Sequence, residues 1–599
     1  MTKKQPNYGI SILFGVIFLS PVTYSIVVYE MDVVQRMYFF SLSLLLFLVF
    51  IARFRIESVA KLNKPLAISM MIFPFTFFTV FLNGSSNLIL LKLTDLIIPL
   101  SILLQSAVIL LMIGEEKFFK VVSYSVVIVS TLFSIIGVLE VFQIKIIALP
   151  TFIPPGSTLG HRSFAAEFLL SSIPFFFIVN DYVKKDKKIL LFLAAVINVS
   201  FLLFTRNRSG LIILLMVAII YLIFILLKKK KGVRLKLLAP VFTVIIISFL
   251  ISLIPVKGSQ RPDIESTAGT LFSSEFKSNR LRMNFWDASL QMIRENPLTG
   301  IGVYRWSGYY PKYFGDYFTD ENVTYVHSVH AHNDFLEIFA ESGVLSFIIF
   351  VTIYFLIALS LFKKIKWNEK YFPLLLTFLV TSAYSLVAFP NYKFSSFFLA
   401  SVVAGAALVN LQSEEKKSLN IKFIILKRSL FVLIIIGFIT SYIRLNSELN
   451  YGESIYLKER RQYAYMEQKL DNTSDLLYPF DASKQPIDYY RGIANYYLRN
   501  YKEALNNTLN ARNIAPFNPI VLNNVAASYE NLGNADSTKA ILERMKVLFP
   551  NYIKPQSNLI TLYYEAGDTS KANLLFEKLI NKDPDNTYLL ELKNRFKLK

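Results

Sequence analysis

The sequence predicts an all-α protein: a polytopic membrane helix bundle followed by a solenoid of helical repeats. Three observations predict it. The chain of 599 residues is 54% hydrophobic, more than a water-soluble protein of this size carries. Its long apolar runs are separated by short basic loops. From residue 444 onward the apolar runs give way to a polar, Tyr- and Asn-rich tail with a regular period.

A helix needs roughly 20 mostly apolar residues to span a bilayer. Candidate spans lie near 9–29, 36–53, 65–82, 94–113, 121–142, 164–181, 189–205, 209–227, 235–254, 344–362, 371–389, 394–411 and 428–443. This gives 12 or 13 spans, the last one short. The first run is long and lacks a small-residue cleavage site, so it reads as a span and not as a cleavable signal peptide. With the N-terminus inside, the basic loops Lys3-Lys4, Arg53 to Lys64, Lys184 to Lys188, Lys228 to Lys236, Lys363 to Lys370 and Lys416 to Arg428 all face the cytoplasm. Basic loops stay inside, so this agreement supports the span assignment. The net charge of +21 is therefore topological, and no nucleic-acid partner is expected. The absence of cysteine excludes disulfides and thiolate–metal sites.

Outside lie 143–163, the turn Thr205 to Ser209, and the large loop 255–343. The expected domains are 1–443, membrane-embedded and including that loop, and 444–599, the tail. In the tail, Pro516, Pro550 and Pro584 recur at 34 residues, as do Gly533 with Gly567 and Tyr529 with Tyr563. Ala504 and Ala572 lie two periods apart. This is the signature of tetratricopeptide repeats, whose superhelix binds polypeptide on its concave face. The side of the tail depends on the span at 428–443. Its apolar core, Leu430 to Ile443, is short, but Phe423 to Leu426 can extend it while Lys427 and Arg428 snorkel. As a true span it puts the tail outside, beside the large loop. The tail would then recruit a partner or acceptor, and its removal should leave the chemistry intact.

Three of the four histidines fall within His327-Ser-Val-His330-Ala-His332, at the end of the large loop. Histidine titrates near neutrality and is suited to general-base work. Asp334 followed by Glu337 fits a capping box with Asp at the N-cap. A helix N-terminus just after His332 should lower its pKa and keep it neutral. Two alternatives are a zinc site, since His-x-x-His-x-His is compatible with ligation, and an ordinary polar loop. Outward arginines are the second feature: Arg206 and Arg208 at the outer end of a span, and Arg280 and Arg282 in the large loop. Arginine is scarce in outward turns, and its planar fork suits phosphate oxygens. Interfacial anchoring or a local ion pair is the bland alternative. No P-loop, Rossmann fingerprint or Gly-x-Ser-x-Gly elbow is present, so no soluble nucleotide is indicated. A membrane-resident donor with its own leaving group fits better.

These residues resemble the O-antigen ligase/polymerase superfamily of bacterial envelope enzymes. His332, then Asn333, nine residues, then Gly343 match its ligase pattern. Arg282 four positions before Trp286, followed by Asn296-Pro-Leu-Thr-Gly-Ile-Gly302, is similar to the approach to that loop. Arg208 before Ser209-Gly210 is similar to the element closing an earlier span. Gly160-His161-Arg162-Ser163-Phe164-Ala165 resembles the family's Gly-x-x-Asn-x-x-Ala element but lacks the usual Asn, which leaves His161 and Arg162 without an assigned role. The resemblance covers about residues 60–411. It implies a GT-C-like bundle in the bacterial inner membrane, with its active loop periplasmic. It also implies metal-independent, inverting transfer of a glycan from an undecaprenyl-diphosphate-linked donor, without a cofactor. Arg208 and Arg282 would bind the diphosphate and His332 would act as base, with Arg206, Arg280, His330 and Asn333 as further candidates.

The leading acceptor is lipid A-core, as in O-antigen ligation for lipopolysaccharide biosynthesis. The alternatives are another lipid-linked glycan, as for a polymerase, or a protein hydroxyl. A non-enzymatic glycan transporter or scaffold would need intramembrane charge, for which Asp95 and Glu167 are the main candidates.

Overall fold

The computed structural model describes residues 7–54, 59–77, 86–228, 231–256, 277–323, 328–410 and 418–596. Each apolar run carries a helix, with the run at 65–82 described only to residue 77. Among the described residues, seven helices are long and apolar enough to cross a membrane: Met31–Ile51, Leu88–Ile113, Glu115–Val141, Lys185–Phe204, Arg208–Lys228, Asp334–Lys364 and Phe423–Glu459. An eighth span is possible if Arg162–Ser172 and Phe175–Tyr182, bent by 41°, cross together. Tyr8–Val22, Lys236–Ser252, Tyr371–Tyr384 and Phe394–Leu408 are shorter apolar helices. The protein is thus a multi-pass helical bundle, in which several of the apolar runs form helices shorter than a full span among the described residues. Its core is rich in phenylalanine, as where Phe18, Phe39 and Phe394 surround Phe398.

The run at 428–443, short by composition, forms the middle of Phe423–Glu459, a helix of 37 residues. Beyond the apolar core, Arg444 and Glu448 are buried and each finds a partner there. Arg444 donates to Asp95 at 2.6 Å, and Glu448 accepts from the backbone N–H of Tyr29 and of Glu30, both at 2.8 Å. The expected boundary at 443 therefore falls inside one helix. One element lies outside the all-α expectation. Val59–Asn63 pairs antiparallel with Val409–Asn410 on one side and with Ser418–Lys422 on the other. The first and last of these strands lie in segments read as basic loops and the second at the end of the apolar run 394–411, and five residues such as Ser418-Leu-Asn-Ile-Lys422 alternate too briefly to announce a strand.

The large loop docks on a break in Asp334–Lys364. At Gly343 φ is +75°, a region open to glycine. A Cβ there would lie 2.0 Å from the Leu298 carbonyl oxygen. The break admits three backbone hydrogen bonds: Val344 N–H to Pro297 O at 3.0 Å, Ile301 N–H to Ala340 O and Gly302 N–H to Glu341 O, both at 2.9 Å. This close approach explains the paired glycine pattern at 300–302 and 343. Gly343→Ala combines a left-handed alanine with loss of this docking. It should destabilise the protein by about 2–4 kcal/mol, read as a lower midpoint of thermal unfolding in detergent. An unchanged midpoint would mean that the loop docks elsewhere.

The tail consists of helices Tyr463–Asp471, Ile487–Tyr497, Tyr501–Ile514, Pro519–Asn531, Ala535–Leu548, Ile553–Glu565, Thr569–Ile580 and Thr587–Phe596, each packed on the next. The periodic residues have matched duties. Pro516, Pro550 and Pro584 sit in turns between helices. Gly533 and Gly567 take φ of +73° and +80° just past helix ends, as C-terminal caps do. Asn534 and Asp568, the next residues, cap the following helices.

Tail and large loop share one core. Trp306, Tyr310 and Phe318 from the loop are buried in a cluster with Leu522, Met545, Phe549 and Leu559 from the tail. Asp320 accepts from the N–H groups of Ile553 and Lys554 at 3.0 and 2.9 Å, satisfying donors at a tail-helix start. Gly308 and Gly315 admit the tail backbone: a Cβ on Gly315 would lie 1.7 Å from Leu548 O. The tail and the loop therefore occupy the same side of the bundle.

Candidate active site

Asp334–Lys364 begins where the large loop returns to the bundle. Its N-cap is Asn333, whose Oδ1 accepts from Leu336 N–H at 3.1 Å. This corrects the expected capping box with Asp334 at the cap. Asp334 instead lies one residue into the helix, and its Oδ2 accepts from Asn391 Nδ2 at 2.5 Å. Glu337 reaches back past the cap, accepting from Ala331 N–H at 2.8 Å and pairing with His330 Nδ1 at 2.7 Å. Asn333 and His330 thus hold the loop end together.

His332 is half-buried. Its ring is stacked over Phe285, centroids 6.1 Å apart, and meets the edge of Phe389 at 5.0 Å. Burial, then the charge of Arg282, lower its pKa to about 3. The imidazole is neutral at pH 7, as expected, but burial and a guanidinium are the chief causes. His330 is buried and also neutral: burial, then the ammonium groups of Lys484, Lys393 and Lys92, keep its pKa well below the usual value.

Arg282 lies on the helix Lys277–Glu295, half-buried, with Nη1 3.5 Å from Ser209 Oγ. Its pKa is lowered by burial and then by the neighbouring charge of Arg208. Arg208 opens the helix Arg208–Lys228 and is within electrostatic reach of Arg162. Arg162, Arg208 and Arg282 thus form a chain of guanidiniums, each within electrostatic reach of the next, with Arg282 the one that reaches His332. Asn207 fixes this corner: Nδ2 donates to Ser163 Oγ at 2.9 Å, and Oδ1 accepts from Gly210 N–H at 2.6 Å.

The other sequence candidates are placed differently. Arg206 is buried and donates from Nη2 to Ser252 O at 2.6 Å, tying two helix ends together. Arg280 is exposed, two residues from Arg282 and so on a different face of the helix. His327 lies outside the described residues, and with it part of the zinc alternative. Among the described residues, no three His, Asp or Glu side chains are grouped to hold one metal ion. Asp95 and Glu167 have internal partners: Asp95 accepts from Arg36 at 2.7 Å as well as from Arg444, and Glu167 accepts from Ser396 Oγ at 2.6 Å.

Two groups join the site that sequence reasoning left unassigned or missed. His161 caps the helix Arg162–Ser172 through Nδ1, accepting from Ser163 N–H at 3.0 Å. Burial, then Arg162 and Lys393, lower its pKa to about 4. Lys393 lies 3.4 Å from Asp32 and 5.3 Å from the centre of the Phe164 ring. Its position in an outward turn, the anomaly that singled out Arg206 and Arg208, was the available signal. The arrangement joins a cluster of cationic side chains to a neutral imidazole. It can hold an anion and accept a proton beside it.

Residues 193–351 match the family model described as O-antigen ligase. The matched segment includes Arg208, Arg282 and His332, while Arg162, Lys393 and the tail lie outside it. No curated protein matches the chain. The match supports the O-antigen ligase superfamily and implies, at a coarse level, glycan transfer from a lipid-linked donor to an acceptor by a multi-pass membrane protein.

Proposed function

We propose that this chain transfers a glycan from an undecaprenyl-diphosphate-linked donor to an acceptor hydroxyl at the periplasmic face of the inner membrane. O-antigen ligation to lipid A-core is the leading reaction. The observation that carries this reading is the chain of guanidiniums Arg162, Arg208 and Arg282, whose last member contacts Ser209 beside Arg208 and lies within reach of a neutral His332. Mutually repelling guanidiniums are relieved by an anion, and a diphosphate is the anion that bidentate forks suit best. The acceptor oxygen attacks the anomeric carbon in line, inverting it, while the bond from that carbon to the diphosphate oxygen breaks. The electron pair leaves with the diphosphate, stabilised by the guanidiniums, and the acceptor proton passes to His332.

Donor binding also tunes the base. Bound diphosphate offsets the charge of Arg282, so the pKa of His332 rises once the donor is in place. A raised pKa means protonation at higher pH. The profile of kcat, which reports the complex, should therefore fall off at a higher pH than that of kcat/KM for the donor. Coincident acid limbs near pH 6.5 would contradict this coupling.

Arg282→Lys and Arg208→Lys keep a charge but lose the fork. Each should cost about 2 kcal/mol of transition-state stabilisation, about 30-fold in kcat/KM. Wild-type kinetics in both would reduce these residues to surface anchors. The experiment that tests the function is transfer by purified, reconstituted protein from a lipid-diphosphate-linked glycan, offered lipid A-core, a second lipid-linked glycan and a protein in turn.

The tail favours a second reading. Its 34-residue pairs are those of tetratricopeptide repeats, which bind polypeptide. Its shared core with the large loop, which ends at His332, supports this reading. A protein acceptor or an envelope protein partner follows, and labelling of the protein in the same assay would select it.

A further inference from the structure

His332 takes a φ of +53°, which non-glycine residues rarely adopt. Such a backbone persists only where its flanks are held. The C-terminal flank is held by the Asn333 cap and by Asp334 Oδ2, which accepts from both the backbone N–H and the side chain of Asn391. On the N-terminal flank Ser328 Oγ donates to His330 O at 2.7 Å, and one carboxylate holds both Ala331 and the His330 ring. Glu337 Oε2 accepts from Ala331 N–H at 2.8 Å, while Oε1 lies 2.7 Å from His330 Nδ1. The side chains of His330 and Glu337 are 5% and 2% exposed, so water does not compete for these bonds. The ring of His330 stacks on Phe389 at 4.5 Å and packs against Tyr392 at 4.3 Å. Phe389 is the ring that His332 meets edge-on at 5.0 Å, so both imidazoles grip one phenyl group.

We propose that Glu337 and His330 are positioning residues, clamping the backbone at Ala331 so that the His332 ring is held between Phe285 and Phe389. The pair acts through His332 and does not touch substrate. Its effect on turnover rests on the reading of His332 as the base, but the clamp itself has a readout that needs no substrate. With four histidines in the chain, histidine labelled with carbon-13 at Cε1 gives four ring resonances, assignable by single substitutions in protein held in lipid nanodiscs. Glu337→Ala should shift the resonances of His330 and His332 and leave that of His161 in place. It should lower kcat at least tenfold and change donor KM by less than twofold. Glu337→Gln, which keeps an acceptor for Ala331 N–H in the same volume, should recover part of both. A His332 resonance unmoved by Glu337→Ala overturns the clamp, whatever the activity. Movement of all three described histidines, with kcat and KM worsening together in both variants, also overturns it, because the pair would then be general scaffolding. Absence of transfer by the wild-type protein would refute the functional reading, and the resonances alone would then decide the clamp.

Discussion

Replacing His332 should lower glycan transfer by roughly 10²- to 10⁴-fold, the usual contribution of a general base, while the protein stays folded and inserted. His332→Asn is the cleaner variant. Asparagine tolerates the left-handed backbone that alanine resists, so the local conformation is kept and only the base is lost. The ring is half-buried, so its loss leaves a modest cavity beside Phe285 and Phe389 and not a collapsed core. The defect should lie in kcat, with donor affinity preserved by the guanidiniums. Single-turnover transfer at saturating donor measures it directly. An Asn variant within threefold of wild type would remove His332 from the mechanism and leave the arginine cluster as the whole catalyst.

Truncation after Tyr442 should abolish activity on every acceptor, small or large. The sequence suggested a separable recruiting tail whose removal spares the chemistry. The structure leads to a different expectation, because Trp306, Tyr310 and Phe318 are each at most 1% exposed in a core shared with the tail. Exposing two such aromatics costs about 3–6 kcal/mol, a large part of a domain's stability of about 5–15 kcal/mol. The damage reaches the site through Phe285, which packs on Trp306 and Tyr310 and stacks over His332. Limited proteolysis of the truncated protein should cut the large loop at protease levels that spare it in the full chain. A truncated protein with a resistant loop and normal transfer to a small acceptor would restore the separable tail.

The legibility of this chain depends on whether a residue betrays its role locally. Arg208 and Arg282 were visible because cations in outward segments break a trend, and His332 because histidine is scarce and its spacing to Gly343 is distinctive. Lys393 breaks the same trend but stands in a short turn between apolar runs. Arg162 has no role legible in the sequence because its motif departs from the family element and its neighbour Arg208 lies 46 residues on. The choice of cap went to Asp334 because Asp and Asn cap equally well. Only the tertiary pull of Asn391 on the Asp334 carboxylate separates the two. The strands at 59–63, 409–410 and 418–422 are short and pair across most of the membrane domain, so no local pattern marks them.

The shared core of loop and tail also sets a timetable for making the protein. Phe318 packs against Phe549, ring centroids 5.6 Å apart. A ribosome adding about 5–20 residues per second reaches the second phenylalanine roughly ten to fifty seconds after the first. During that interval the loop carrying Arg282 and His332 is without its apolar partners. The candidate site can mature only after Phe423–Glu459 and the tail have been made. Chaperones that shield exposed aromatic surface would find their substrate in this half-made loop, and a ribosome stalled between those two points would leave a helical bundle with an unfinished candidate site.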